Sequence, residues 1–293
     1  MSTATKYVLI TGCSKGGIGH ALAREFLSRG YTVFATARQL ESIDDLGELG
    51  AITRRLDVTD HQAVCKLRDE VASITGGKLE VLVNNARVVS LYAFRPLVPA
   101  IDMPMADARA LFEVNFFAPM SMVQEFVQML IGSGDGRILM ISSVGSVMPL
   151  PFCSVYNASK AALTQFSNSL RLELAPFNVK VVTVLSGSVK TNIVKPHTLP
   201  EHSIYQSMEN IYQQRRVKPI MEGAMPADQY ARTVVSETLK SNPPKIVWAG
   251  THTWFCWIVD KFLGQRGFDF IFTRMFGLAD FAAMVKSGRA KAP

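Results

Sequence analysis

The chain is poor in the residues that metal centres and disulfide frameworks require. Its four cysteines, Cys13, Cys65, Cys153 and Cys256, lie far apart with no CxxC pair. Its histidines, His20, His61, His197, His202 and His252, show no metal-ligand spacing, so no metal is expected and the thiols are expected to be reduced. A basic stripe is also lacking. The net charge of +7 comes from scattered Lys and Arg, which argues against nucleic-acid binding and fits solvated surface or an anionic cofactor or substrate. Charged residues are only 19% against 48% hydrophobic, which excludes wholesale disorder. MSTATKYVLITG passes directly into an apolar strand. It leaves no room for a charged and then apolar leader, so an intracellular, cytoplasmic protein is expected.

What is present is an alternation of short apolar runs with helical periodicity. Strands are expected at Tyr7 to Thr11, Tyr31 to Ala35, Ile52 to Leu56, Lys78 to Val83, Gly136 to Ser142 and Asn178 to Leu185. Between them lie HALAREFLSRG, a helix capped by Asp60, a long helix over Ala106 to Leu130, and one over Ala158 to Ala175. Strictly alternating strands and helices predict an α/β fold, a doubly wound parallel sheet with helices on both faces. In such sheets ligands lie beyond the carboxyl ends of the strands. The polar clusters Thr11 to Ser14, Asp57, Asn84 to Arg87, Ser142 to Gly145 and Ser186 to Thr191 each follow an apolar run.

SSVGSVMPLPFCSVYNASK sets Ser143, Tyr156 and Lys160 where a hydroxyl, a phenol and an ammonium can converge on one carbonyl oxygen. Residues four apart on a helix are neighbours, which pairs Tyr156 with Lys160. Reducing a ketone leaves an alkoxide, so such a site needs a proton donor and a second donor to hold the oxygen. Tyr156 suits the first role and Ser143 the second. A free phenol titrates near 10, and the charge of Lys160 is expected to lower that value. TGCSKGGIG follows the first strand and opens a helix, the context for a dinucleotide turn in which glycines admit the pyrophosphate and helix amides face it.

Together these motifs, with the strand-end Asp57, NNA at Asn84 to Ala86, and Asn115 in FEVNFFAPM, resemble the short-chain dehydrogenase/reductase family from about Lys6 to about Thr191. The resemblance implies a single Rossmann-type domain over residues 1–293 that binds NAD or NADP. It implies a cofactor site at Gly12, Ser14, Lys15, Gly17, Ile18 and Gly19, with Asp57 and Val58 flanking the adenine and Asn84 near a ribose. Val189 and Thr191 would hold the carboxamide and phosphates, Tyr156 and Lys160 would border the nicotinamide ribose, and Asn115 would support a water chain that restores the proton. Arg38 stands after the second strand, where an NAD enzyme usually places an acid. An arginine there suits a 2′-phosphate, so NADPH/NADP is the expected cofactor.

The glycine turn is one residue longer than the family pattern, Arg87 replaces the usual glycine after NNA, and Ser186 stands where proline is common. The segment from Val88 to Pro104, with Pro96, Pro99 and Pro104, is longer than usual. CSKGGIG, SVYNASKAAL, ELAPFNVKVV, TLPEHSIY and MPADQYA resemble a narrower group, fungal reductases like acyl-dihydroxyacetone phosphate reductase together with secondary-metabolite reductases. A lipophilic ketone substrate, in lipid or secondary metabolism, follows as the expectation, with residues 192–225 as a helical part of the substrate pocket. A non-redox isomerase or dehydratase on the same fold, and a nucleotide-sensing scaffold, are the alternatives. Residues 248–293 form an aromatic extension whose uncharged stretch is too short to span a membrane. It is expected to pack, to cover the pocket, to meet another subunit of a homo-oligomer, or to touch a membrane interface.

Overall fold

The computed structural model describes residues 5–87, 97–191, 198–221 and 223–289. Seven parallel strands form one sheet: β1 Tyr7–Ile10, β2 Thr32–Ala37, β3 Ile52–Arg55, β4 Val81–Asn84, β5 Arg137–Ser143, β6 Lys180–Ser186 and β7 Ile246–Ala249. Their order is β3-β2-β1-β4-β5-β6-β7, so the chain winds outward from β1, returns to its other side at β4, and creates a switch point between them. The helices are α1 Ile18–Ser28, α2 Asp44–Glu48, α3 His61–Thr75, α4 Met105–Phe112, α5 Ala118–Gly132, α6 Ser154–Leu174, α7 Glu209–Tyr212, α8 Lys218–Met221, α9 Ala227–Thr238, α10 Thr253–Phe262, α11 Gly264–Met275 and α12 Leu278–Lys286.

Strand alternation divides the core into two layers. Val8 and Ile10 of β1 face α1 and α9, where Leu22, Phe26, Val234 and Val235 are buried. Leu9, between them, faces the opposite layer of α3, α5 and α6 with Leu67, Phe126 and Leu163. Successive side chains of a strand point to opposite faces, and a sheet covered on both faces carries near-continuous apolar strands. The doubly wound α/β fold expected from the sequence is therefore the observed one.

Three boundaries differ from the sequence expectation, each for a local reason. The long helix is interrupted by a π turn, Glu113–Phe117, between α4 and α5. Pro119 follows by four residues and has no N–H to give the carbonyl of Asn115, and such bulges relieve the misfit. Helix α6 begins at Ser154 rather than Ala158, which brings Tyr156 into its first turn. Phe152 adopts a left-handed φ of 63°, and the Asn157 side chain donates to the Leu150 carbonyl at 2.9 Å, tying the new start to the preceding loop. Strand β7 was not anticipated. Its Val247 and Ala249 are buried against the α1 and α9 layer, but four residues, one of them the exposed Ile246, give little alternation to read.

Asp60 caps α3 as expected, its carboxylate accepting from the Ala63 N–H at 3.1 Å. Within the proposed pocket region, a short turn at Gln206–Met208 leads into α7, a π turn at Gln213–Val217 and α8. Residues 192–197 and 222 lie outside the described residues, as does Pro96 with the rest of 88–96. Pro99 and Pro104 precede the helical turn Ala100–Asp102 and α4 respectively. The aromatic extension begins within β7 and continues as α10, α11 and α12.

Candidate active site

Two clefts open at the carboxyl ends of the strands. The larger, about 590 Å³, is lined by Gly12, Ser14, Lys15, Gly17 and Ile18 of the first turn, by Arg38 after β2, and by Asp57 and Val58 after β3. The smaller, about 70 Å³, is lined by Ser142, Ser143, Tyr156, Lys160, Ser186 and Val189 among others. Ile18, Asn85 and Arg87 line both, which makes the clefts neighbours along one groove at the switch point.

The larger cleft suits an anionic dinucleotide on its own geometry. Gly12 has φ +73°, and a Cβ there would stand 2.8 Å from Ala86 Cα. A Cβ on Gly19 would run into the Gly12 carbonyl oxygen and the Asn85 side chain. The two glycines therefore let the β1 turn and α1 pack directly on the β4 end. Helix α1 is preceded by Gly17, which supplies no side-chain cap, so its first-turn amides are left to a ligand, and such termini favour phosphate. Lys15 and Arg38 add positive charge at the same wall, although Lys15 also pairs with Asp45 at 3.3 Å while largely exposed. The Asp57 carboxylate accepts from the Thr59 N–H and hydroxyl at 3.0 and 2.7 Å. That turn stiffens the edge beside Val58.

In the smaller cleft Ser143 ends β5 and Tyr156 and Lys160 lie on α6, as the spacing predicts. Tyr156 and Ser143 line this cleft together. Ser143 Oγ accepts from the Gly145 N–H at 3.1 Å, which fixes its rotamer. Lys160 is 4% exposed, and its Nζ donates to the Ile141 carbonyl at 2.9 Å. Asn115, in the π turn, donates from Nδ2 to Ser159 Oγ at 3.1 Å, and Ser159 donates to the Tyr156 carbonyl at 2.8 Å. Asn115 Oδ1 is buried without a partner among the described residues, an acceptor of the kind that a bound water satisfies.

The electrostatics differ from expectation in one respect. Burial raises the Tyr156 phenol above its ordinary value, and the opposing influences are the Arg87 charge and the Ser143 hydroxyl rather than Lys160. Burial also pulls Lys160 down to about 7, with Arg87 adding to the shift as a like charge. A raised phenol stays protonated at neutral pH, which is the form a proton donor needs.

Several placements were not legible beforehand. Asn84 is buried, its Nδ2 contacts Met140 Sδ at 3.4 Å, and it is not among the residues lining either cleft. Its neighbour Asn85 lines them instead, donating to the Thr11 and Gly12 carbonyls at 2.8 and 2.9 Å. In a strand adjacent residues face opposite sides, and NNA alone does not say which asparagine faces the groove. Val189 lines the small cleft, whereas Thr191 meets Arg87 Nη2 at 3.5 Å. Ser186 hydrogen bonds the Tyr230 hydroxyl at 2.6 Å. Behind Tyr156, Phe152 packs edge-on against Tyr205 and Tyr212 at 5.6 and 5.4 Å. Arg216 donates to the Pro151 carbonyl at 3.0 Å and lies 5.3 Å from the Phe276 ring. Elsewhere, His61 and Cys65, one turn apart on α3, approach Glu125 on α5, but Glu125 is already ion-paired with Arg68.

The family model described as short chain dehydrogenase matches residues 6–201. A short-chain dehydrogenase of Hypocrea virens, virD, is 42% identical over 284 residues, 95% of each chain. An NADPH-dependent 1-acyldihydroxyacetone phosphate reductase of Schizosaccharomyces pombe is 40% identical over 254 residues, 84% of this chain and 80% of that one. Among solved structures, a short-chain dehydrogenase from Streptomyces avermitilis superposes with a TM-score of 0.75 at 26% identity, covering 100% of both chains. No helix among the described residues is long and apolar enough to cross a membrane. With its sheet order, glycine turn and Ser143, Tyr156 and Lys160 assembled at the switch point, the chain belongs to the short-chain dehydrogenase family.

Proposed function

We propose that this enzyme is an NADPH-dependent carbonyl reductase that converts a lipophilic ketone to an alcohol. The observation that carries the reading is the Tyr156 and Ser143 pair, held beside Lys160 in a small chamber continuous with a basic nucleotide cleft. The chemistry supplied by bound NADPH is hydride delivery to the carbonyl carbon. Tyr156 gives its proton to the oxygen, Ser143 orients that oxygen, and Asn115 and Lys160 support the route by which the phenol is reprotonated. Lys15 and Arg38 would take the 2′-phosphate, the first-turn amides of α1 the pyrophosphate, and Tyr156 and Lys160 the nicotinamide ribose. The Schizosaccharomyces pombe relative supports NADPH over NADH, as does Arg38.

The apolar rings behind Tyr156 support a lipophilic substrate from lipid or secondary metabolism. The helical region around α7 and α8 belongs to that wall, since Met208, Tyr212 and Val217 share a buried cluster with Phe152. In the aromatic extension, Phe268, Phe272 and Phe276 pack inward on Val144 and Met148 beside the catalytic serine. Its outer face shows Trp254, Phe262 and Phe270, 66%, 67% and 63% exposed. This face is proposed as a contact surface, for an intracellular membrane interface or a second copy of the chain. Liposome flotation and light scattering separate the two.

A panel of ketones, among them acyl-dihydroxyacetone phosphate and polyketide-like aromatics, monitored by NADPH absorbance tests the reading. One NADPH consumed per alcohol formed is expected. Tight NADPH binding with product formed but no NADPH consumed would overturn it in favour of a non-redox rearrangement.

A further inference from the structure

Arg87 is the residue in the groove that the reaction above leaves without a task. It follows Ala86 at the end of β4 and lines both clefts. Its contact with Thr191 Oγ1, at 3.5 Å, is at the outer limit of a hydrogen bond and does not saturate a five-donor guanidinium. No ion pair between Arg87 and a carboxylate occurs among the described residues. The small cleft has no acidic residue in its lining. The acids on the larger one, Asp57 and the exposed Glu113, do not pair with Arg87 either.

The catalytic end of the groove therefore carries Arg87 and the buried Lys160 as like charges with no carboxylate paired to either among the described residues. Two cations at the wall of one small cavity repel, and each loses hydration. The arrangement is relieved by an anion placed between them and the solvent. The cofactor phosphates already have the α1 amides, Lys15 and Arg38 in the larger cleft. A planar guanidinium at the chamber's edge matches an oxyanion bidentately.

We propose that Arg87 is a substrate-binding residue that selects a ketone bearing an oxyanion, a carboxylate or a phosphate, and holds that group at the mouth of the chamber beside Tyr156. The inference rests on the reductase reading and narrows its lipophilic substrate to an amphiphilic, anionic one.

Binding of decanoate, decyl phosphate and decanol to the protein, with and without NADP+, tests this by titration calorimetry. Wild type should bind at least one of the two anions about 10-fold or more tighter than decanol, the size of a charge-assisted pair. The favoured anion distinguishes a carboxylate from a phosphate substrate. Arg87→Gln should bring that preference to within about twofold, and Arg87→Lys should keep part of it. The lysine variant supplies the test if the glutamine variant is misfolded by circular dichroism. Equal binding of anions and alcohol by wild type overturns the proposal, and so does a preference that survives Arg87→Gln. A loss of NADP+ affinity in Arg87→Gln with the anion preference intact overturns it too, assigning the residue to the cofactor. Failure of NADP+ to bind wild type would instead defeat the reductase reading, while the anion-to-alcohol ratio still reports on Arg87.

Discussion

Around the nucleotide cleft, Gly12 and Gly19 let backbone meet backbone at the β4 end. Around the smaller cleft the walls are rings: behind Tyr156, Phe152 packs edge-on against Tyr205 and Tyr212, and a second cluster of Phe268, Phe272 and Phe276 packs on Val144 and Met148 next to Ser143. The first wall is shaped by the absence of side chains and presents amides and surface cations. The second is shaped by side-chain volume and fixes a phenol through burial. Removing a cation from the first should alter affinity with little effect on stability, and removing a ring from the second should do the reverse.

The largest effect expected is on the ring wall. Phe268 is fully buried and stacks on Phe272 at 5.4 Å. Phe268→Ala should cost about 3–5 kcal/mol of unfolding free energy, read by urea denaturation, with NADPH affinity changed less than about threefold. Equal damage to both quantities would dissolve the distinction between the two walls. Next is Arg38→Asp, which should shift the preference for NADPH over NADH by about 10- to 100-fold, the worth of charge-assisted bonds to a phosphate, with no loss of thermal stability. An unchanged preference would remove Arg38 from the cofactor site.

Gly19→Ala should follow: its Cβ would meet the Gly12 carbonyl oxygen, so about 1–3 kcal/mol of unfolding free energy should be lost to overpacking, read by urea denaturation, together with weaker NADPH binding in a fluorescence titration. Smallest is a shift in titration. Burial first, then Arg87, depress Lys160 to about 7, so its ammonium is present below that pH and lost as pH rises through it. In Arg87→Gln the second cause disappears and Lys160 should titrate at higher pH, followed by carbon-13 NMR of labelled lysine in the cofactor-free protein. A shift in the opposite direction would mean that the two charges do not interact.

The contrast between the walls also explains what could be read in the sequence. Strand alternation, the glycine turn and the Ser143, Tyr156 and Lys160 spacing are local patterns enforced by backbone geometry, so the sheet, its switch point and the meeting of those three residues in one cleft were legible. The ring wall was not, because Phe152, Tyr205 and Tyr212 come from distant segments and meet only through packing. The choice of Asn85 over Asn84 at the groove depends on which face of β4 each occupies. The influence of Arg87 on Tyr156, where Lys160 was expected, depends on side-chain reach: Lys160 Nζ is drawn to the Ile141 carbonyl.

Tyr156→Phe removes one oxygen from the chamber and leaves the ring in its packed place. For the best ketone of the panel, kcat should fall by about 10²- to 10⁴-fold, the range for a positioned acid, with NADPH binding within about twofold of wild type. A variant that keeps its turnover would contradict the assignment of the phenol as proton donor, and with it the account of this site.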